Sequence, residues 1–598
     1  MGFIPAHIQR TCLYDVFWVF RYLLDHEERT DFLTNEERQD FVSLLCRIME
    51  YIDIETISEF ELAGCTEEHK VALLAMYKDQ RRESTAVYLQ QIDQASGQMQ
   101  FSYFSGGNDR FPIRPFVNGQ EAKMHLPSQR SSTFMGATYF TQHFFWVSLN
   151  EGDTIRFEAE GAPCRIRRRR KAIGQEANWL TLRDALVQDA PRNVSPEHQR
   201  LRDFVLESQD KYRGCWVLMD RDDRADDNAE HLYRHLMRQG QNGNVWFVLS
   251  RQSGDWDRLE REGFKLLAFG SDDHIAAQMN ASILASSHAD DYVLWPVPKA
   301  EFGDLAKYEF AFLQHGVTMN DLSAWLNRKP IRLFVASTPA EAAAISDAGS
   351  RYVFSNREVL LSGFPRHDRL LSKARKTVPN SILIMPTWRK YLSGGGDVTG
   401  MRWTKQDNFS ESVFARNWSA ILNLPDLAHL AERHGVSVMF VPHPNMAIYL
   451  PDMAIPGWIE TVDVRDGFCY QDLLVRACVA VTDYSSALME VAFLQRPVIY
   501  FQFDFDEFFA GDHICKPGYF SFERDGFGPV VRNPEDVIAQ LDAALSGRED
   551  PVYAARRDAA FPFRDGECCE RVRIAIEQLS GPRQVLAPDH AALAAHPA

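Results

Sequence analysis

Two histidines in this chain sit in matching surroundings. His315 lies in Phe312-Leu313-Gln314-His315-Gly316-Val317-Thr318, where an apolar run leads in and a glycine gives a tight exit. His443 lies in Met439-Phe440-Val441-Pro442-His443-Pro444, again at the end of an apolar run. Open α/β sheets place their ligands at the carboxyl ends of strands. A neutral imidazole at such a position can take a proton from an attacking hydroxyl, which suits His315. The prolines around His443 stiffen the backbone and interrupt both strand and helix, which suits a fixed role beside a phosphate. A single histidine is more often a packing or capping residue. The two equivalent positions are what favour a catalytic reading.

Other polar groups follow other apolar runs. Pro386-Thr387-Trp388-Arg389 comes after 382–385. The planar fork of Arg389 fits a phosphate, or its stem lies over Trp388 at the surface. Thr482-Asp483-Tyr484-Ser485-Ser486 ends another run and opens a helix containing Glu490. Hydroxyls and N–H groups at a helix start make a phosphate site, although Ser485 also reads as an N-cap and Asp483 as a buried structural carboxylate. Glu490 either holds ribose hydroxyls or is an ordinary solvated carboxylate. The acidic stretches 220–227 and 504–507 have the ligands for magnesium but read better as solvated turns, and no metal is expected. Neither GxxxxGK[ST] nor GxGxxG occurs, which argues against P-loop hydrolysis and against a typical dehydrogenase.

These groups need a scaffold of alternating strands and helices. From about 215 the pattern is a buried strand at 215–219, a helix at 229–239 and a strand at 245–249, with further alternation to about 368. A second series begins at 382–385 and continues through 438–441, 479–482 and 497–501. Such alternation implies parallel sheets covered on both faces, here as two Rossmann-like domains facing a cleft. The earlier sequence differs. Residues 6–79 read as helices, with Leu13, Phe17, Phe20 and Leu24 on one stripe and a Thr34–Glu37 capping box. Residues 98–168 read as short strands separated by turn signals such as Asn118-Gly119, hence a small antiparallel sandwich. A linker is expected near 188–198. The expected domains are a helical accessory module at 1–95, a β-sandwich-like domain at 96–175, an N-terminal Rossmann-like domain at 200–372, a C-terminal one at 373–579, and a disordered tail at 580–598.

The formal net charge of −17 over 598 residues disfavours nucleic acid as a partner. Locally, Arg165, Arg167, Arg168, Arg169, Arg170 and Lys171 form a dense basic run, either a solvated segment or a surface for anionic lipid or polymer. The 10 cysteines show no CxxC pair or zinc spacing, which fits free thiols in a reducing compartment. No signal peptide is evident and no apolar run approaches the ~20 residues needed to span a bilayer. The expected location is cytoplasmic, with peripheral contact at the inner face of the membrane as an extension.

Taken in order, Gln314-His315-Gly316, Gly363-Phe364-Pro365-Arg366-His367-Asp368, Pro386-Thr387-Trp388-Arg389, His443-Pro444 and Thr482-Asp483-Tyr484-Ser485-Ser486 resemble the CDP-glycerol glycerophosphotransferases, the teichoic-acid and capsule polymerases with a GT-B fold. The acidic turn at 220–228 and the segment 563–572 also resemble family features, and the resemblance covers roughly 212–578. It implies attack by an acceptor hydroxyl on the β-phosphorus of a CDP-polyol, with CMP leaving. By the same resemblance His315 is the general base. His443 and Arg389, with Thr387, Asp483, Ser485 and Ser486, serve the donor pyrophosphate. Glu490 stands where many members have Asp and is the ribose candidate. Gly316, Thr318 and Arg366 fall on the acceptor side, where Val317-Thr318 departs from the frequent Thr-Pro. The implied donors are CDP-glycerol or CDP-ribitol with no cofactor; the implied acceptor is a polyol-phosphate or polysaccharide chain, lipid-linked in many members. The alternatives are a GT-B glycosyltransferase using a nucleotide sugar and a non-catalytic polymer-binding scaffold.

Overall fold

The computed structural model describes residues 4–30, 32–80, 85–93, 96–107, 111–187, 190–191, 193–392, 405, 408–463, 469–509 and 517–579. The expected tail at 580–598 lies outside the described residues. The chain forms two compact units, one of residues 1–190, 345–357 and 580–598, the other of 191–344 and 358–579. Among the described residues no helix is long and apolar enough to cross a membrane.

In the first unit, helix Ala6–Leu23 buries Leu13, Phe17, Phe20 and Leu23, and the expected Leu24, just past its end, packs half-buried on the same core. The capping box at Thr34 and Glu37 is formed, each side chain bonding the other's backbone N–H. The strands begin at Ala86, earlier than the expected start at 96. A six-stranded and a five-stranded sheet pack face to face. Their shared core mixes Phe101 and Phe145 of the first sheet with Ile155 and Phe157 of the second. The Asn118-Gly119 turn joins two antiparallel strands with both residues at positive φ, 49° and 81°, as a two-residue hairpin requires. The basic run forms strands Arg165–Arg168 and Lys171–Gly174, an antiparallel hairpin at the edge of the six-stranded sheet. Helices and sandwich are not separate bodies. Helix Glu67–Lys78 lies against Gly106, where a Cβ would stand 2.4 Å from the Ala75 Cβ.

The second unit carries the two parallel sheets of a GT-B-like α/β fold. The first runs Leu266–Ala268, Val245–Leu249, Trp216–Met219, Ile283–Ser286, Glu309–Phe312, Ile331–Ala336, Val359–Leu361. The second runs Glu460–Thr461, Ser437–Phe440, Ser381–Met385, Ala477–Thr482, Val498–Phe501, Val530–Val531. All these pairings are parallel. Their inner strands are largely buried, which is why they read as continuous apolar runs without alternation, whereas Glu460–Thr461 is exposed and Val359–Leu361 half-buried. The expected linker near 188–198 gives way to helix Pro196–Glu207, capped by Ser195.

One element departs from the expected division at 372/373. Helix Cys568–Leu579 crosses back and packs on helices Asn228–Arg238 and Pro365–Ala374 of the first half. Asp368 receives it, its two oxygens accepting from the N–H groups of Cys568 at 2.9 Å and Cys569 at 2.8 Å. A helix start has unsatisfied N–H donors, so a carboxylate there both caps and anchors. Asp368→Ala should therefore lower stability by about 1–2 kcal/mol, read as a shift of the urea unfolding midpoint.

Candidate active site

His315 follows strand Glu309–Phe312 by two residues that turn sharply. Gln314 has φ of 60°, the left-handed region, which costs an L residue about 1–2 kcal/mol. Its side chain compensates, with Nε2 donating to Val335 O at 2.6 Å, and its backbone oxygen accepts from Asn228 Nδ2 at 2.7 Å. The turn aims His315 at Asp227, the N-cap of helix Asn228–Arg238, with Nδ1 2.5 Å from Asp227 Oδ2. The ring's side chain remains 62% exposed, so its far edge is open to a substrate. Burial pulls Asp227 upward, but Arg366 and His315 beside it prevail and hold its carboxyl far below the ordinary range. An ionised Asp227 accepts a hydrogen bond from Nδ1–H, which fixes the proton on Nδ1. That leaves the lone pair on Nε2, so His315 is presented as a proton acceptor.

His443 is fixed in the opposite sense. It is half-buried after strand Ser437–Phe440, and its Nδ1 accepts from the Asn445 N–H at 3.2 Å. A neutral ring with Nδ1 as acceptor carries its proton on Nε2, which makes it a donor suited to an anion. Trp388 lies 6.4 Å away by ring centroids.

The two halves of the unit approach each other at these loops. A Cβ at Gly316 would stand 3.6 Å from the Ser486 Oγ. Ser485 and Ser486 are half-buried, and Ser485 Oγ caps its own short turn by accepting from Ala487 N–H at 3.2 Å. Arg366 ties the halves together. Its Nη1 faces Asp227 and donates to the His315 backbone oxygen at 2.6 Å, while its Nε faces Glu490 of the second half. Arg366, expected on the acceptor side, and Glu490, expected at the ribose, thus pair with each other.

Three other expected ligands are also internal. Arg389 is fully buried and donates to Asp483 at 2.9 Å and to Asp504 at 2.8 Å and 3.0 Å. Aromatic rings of Tyr484 and Phe508 lie 5.1 Å and 4.9 Å from its guanidinium carbon. With its fork so occupied, Arg389 braces the second sheet's exits and does not face a phosphate. Asp483 accepts from the Thr387 N–H at 2.8 Å as well, and burial raises its pKa against the pull of Arg389. Thr387 is therefore positioned by its backbone. Thr318 is buried too, with Oγ1 donating to Gln314 Oε1 at 2.7 Å and its N–H donating to Glu341.

The family model for CDP-glycerol:poly(glycerophosphate) glycerophosphotransferase matches residues 204–578. The chain belongs to that family. The minor teichoic acid biosynthesis protein GgaB of Bacillus subtilis (strain 168) is 32% identical over 371 residues, 61% of this chain and 40% of that protein. The teichoic acid glycerol-phosphate transferase of Staphylococcus aureus (strain NCTC 8325 / PS 47) is 32% identical over 239 residues, 36% of this chain and 54% of that protein. The chain thus spans about half or less of the length of these relatives. Among solved structures, the wall teichoic acid polymerase TagF aligns with 14% identity and a TM-score of 0.45, covering 64% of this chain and 98% of that one.

Within this glycerophosphotransferase-family chain, two neighbours of His315 were not singled out from sequence. Asp227 was hidden in an acidic run, and its signal was the Asp-Asn pair directly ahead of the helix. His288 stands two residues beyond strand Ile283–Ser286, and its ring centroid is 4.8 Å from that of His315. Burial, then the adjacent His315 and Arg221, push its pKa well below the ordinary value, and its Nε2 accepts from Arg221 at 3.2 Å. The ligand atoms of Asp227, His288 and His315 lie within 4.8 Å of one another, as a cation site requires. Arg366 and Arg221 already bond two of the three, which disfavours a divalent ion there. The Asp226, Glu230 and His231 group is likewise paired to arginines, Arg369 at Asp226 and Arg258 at Glu230.

Removing Arg389 leaves two buried carboxylates without their counterion. Arg389→Ala should destabilise the protein by about 3–5 kcal/mol in urea unfolding. His443→Ala removes a half-buried ring and should leave the unfolding midpoint within about 1 kcal/mol of wild type.

Proposed function

We propose that this chain transfers a polyol phosphate, glycerol phosphate first, from a CDP-linked donor to the hydroxyl end of a cell-surface polymer, releasing CMP. The observation that carries this reading is the opposite hydrogen-bond polarity of the two strand-end histidines. His315 Nε2 is an acceptor backed by Asp227, and His443 Nε2 is a donor. A phosphoryl transfer needs a base for the incoming hydroxyl and positive character beside the transferred group. Here the acceptor hydroxyl gives its proton to His315 Nε2 as its oxygen bonds the β-phosphorus. The bond between that phosphorus and the bridging oxygen breaks, and CMP leaves with that oxygen. Asp227 stabilises the imidazolium formed. In this reading His443 Nε2–H and the Ser486 hydroxyl donate to the pyrophosphate.

His315→Ala should lower kcat for CMP release from CDP-glycerol by about 10²–10⁴-fold, with an intact fold by circular dichroism. CDP-ribitol and a nucleotide sugar serve as the competing donors in the same assay. Absence of CMP release from both CDP-polyols with a polyol-phosphate acceptor would overturn the proposal.

The acceptor end is assigned to a lipid-linked polymer held near an anionic membrane surface. The supporting feature is the basic hairpin. Arg165, Arg169, Arg170 and Lys171 are exposed, and no residue of the run has a carboxylate within ion-pair distance among the described residues. Unpaired surface charge of one sign suits an anionic partner. Flotation with anionic vesicles should fall steeply as salt rises. Equal flotation with neutral vesicles at high salt would count against it.

A further inference from the structure

Behind the His315 loop sits a carboxylate that the transfer step above does not use. Glu341 belongs to the first turn of helix Pro339–Ser346 and is fully buried. Its Oε1 accepts from the Thr318 N–H at 2.6 Å and from Gln314 Nε2 at 3.0 Å. Its Oε2 accepts from the Ser337 N–H at 2.7 Å. Thr318 Oγ1 closes the ring by donating to Gln314 Oε1. These bonds grip the loop at residues 314 and 318 and leave His315 and Gly316 between the two grips.

The chemistry of this site is unusual for a purely structural one. Every group facing Glu341 is a neutral donor, from Gln314 and Thr318 on the loop, from Ser337 after strand Ile331–Ala336, and from Thr338 ahead of its own helix. No cation pairs with it among the described residues. Burial raises its pKa from 4.5 to about 7 in spite of those donors. A neutral residue would be less costly to bury. What only a carboxylate supplies is acceptor capacity on both oxygens at once.

We propose that Glu341 is a positioning residue for the transfer reaction: ionised, it clamps residues 314–318 from behind and sets the aim of His315 into the cleft. This rests on the reading of His315 as the base. Titration gives the clamp a signature. The folded chain binds Glu341's proton more tightly than the unfolded chain does, so this group's contribution to global stability falls as pH rises between 4.5 and about 7. Over the same range Glu341 loses its proton and both oxygens become acceptors for the Thr318, Gln314 and Ser337 donors. Loop protection across 314–318 should therefore depend on pH in the range where Glu341 titrates.

The test compares wild type, Glu341→Gln and Glu341→Asp. In the glutamine variant, an NH₂ group faces the Ser337 N–H, donor against donor. Amide hydrogen exchange across 314–318, corrected for the intrinsic pH effect, should accelerate about tenfold at pH 8 and lose its dependence on pH. In the same variant kcat for CMP release should fall about 10–100-fold while KM for CDP-glycerol stays within about twofold. The aspartate variant keeps the charge but withdraws it by one methylene, and should retain the pH dependence with an intermediate kcat. Unchanged loop exchange in the glutamine variant would overturn the clamp, as would losses in kcat that merely follow a drop in melting temperature. If wild type itself releases no CMP from either CDP-polyol, the functional reading falls, and the exchange measurements still decide the clamp.

Discussion

The Asp227 carboxylate is the point on which the cleft depends. It begins a helix, orients His315 and pairs with Arg366, and Arg366 reaches Glu490 on the opposite half. A carboxylate that is buried and still ionised must have its charge met on every side. Arg366 meets one oxygen and His315 the other, so the group that orients His315 is the same one that joins the two sheets. The base, the cap and the cross-link are one electrostatic object.

The same device recurs at other strand exits. Asp220, after strand Trp216–Met219, accepts from the N–H groups of Ala229 at 2.9 Å and Glu230 at 3.1 Å and from Ser287 Oγ at 2.6 Å. Burial and the nearby Asp227 raise its pKa to about 8. Glu341 serves the His315 loop, and Asp483 serves the Thr387 loop. Loops at the end of a parallel sheet expose N–H groups to a dry interior, and each must find an acceptor. Buried acids answer that need more rigidly than water would.

Much of this was legible in the sequence for a physical reason. Doubly covered strands are apolar throughout, so 382–385 and 479–482 stand out, and the polar residues that follow them mark the cleft. His315 and His443 were found that way. What the one-dimensional pattern lacked was pairing. Arg389 looks like a phosphate ligand until Asp504, more than a hundred residues on, is seen to occupy its fork. Arg366 and Glu490 each suit a substrate, yet they meet each other. Thr318 and Asp483 carry the right groups but turn them inward. The return of helix Cys568–Leu579 to the first half has no local signal either, because its anchor is Asp368, two hundred residues earlier.

That return has a mechanical consequence. The two halves are joined by two covalent crossings, one at 375–380 and the other at 561–567, each bounded by a helix packed on its own side. Two attachment points limit how one half can shift on the other. Sliding or twisting of one half on the other would strain both crossings together and shear the apolar core to which both halves contribute. The Arg366–Glu490 pair joins the same two halves, so the loops of His315 and Ser486 are held beside each other by two covalent links and an ionic one.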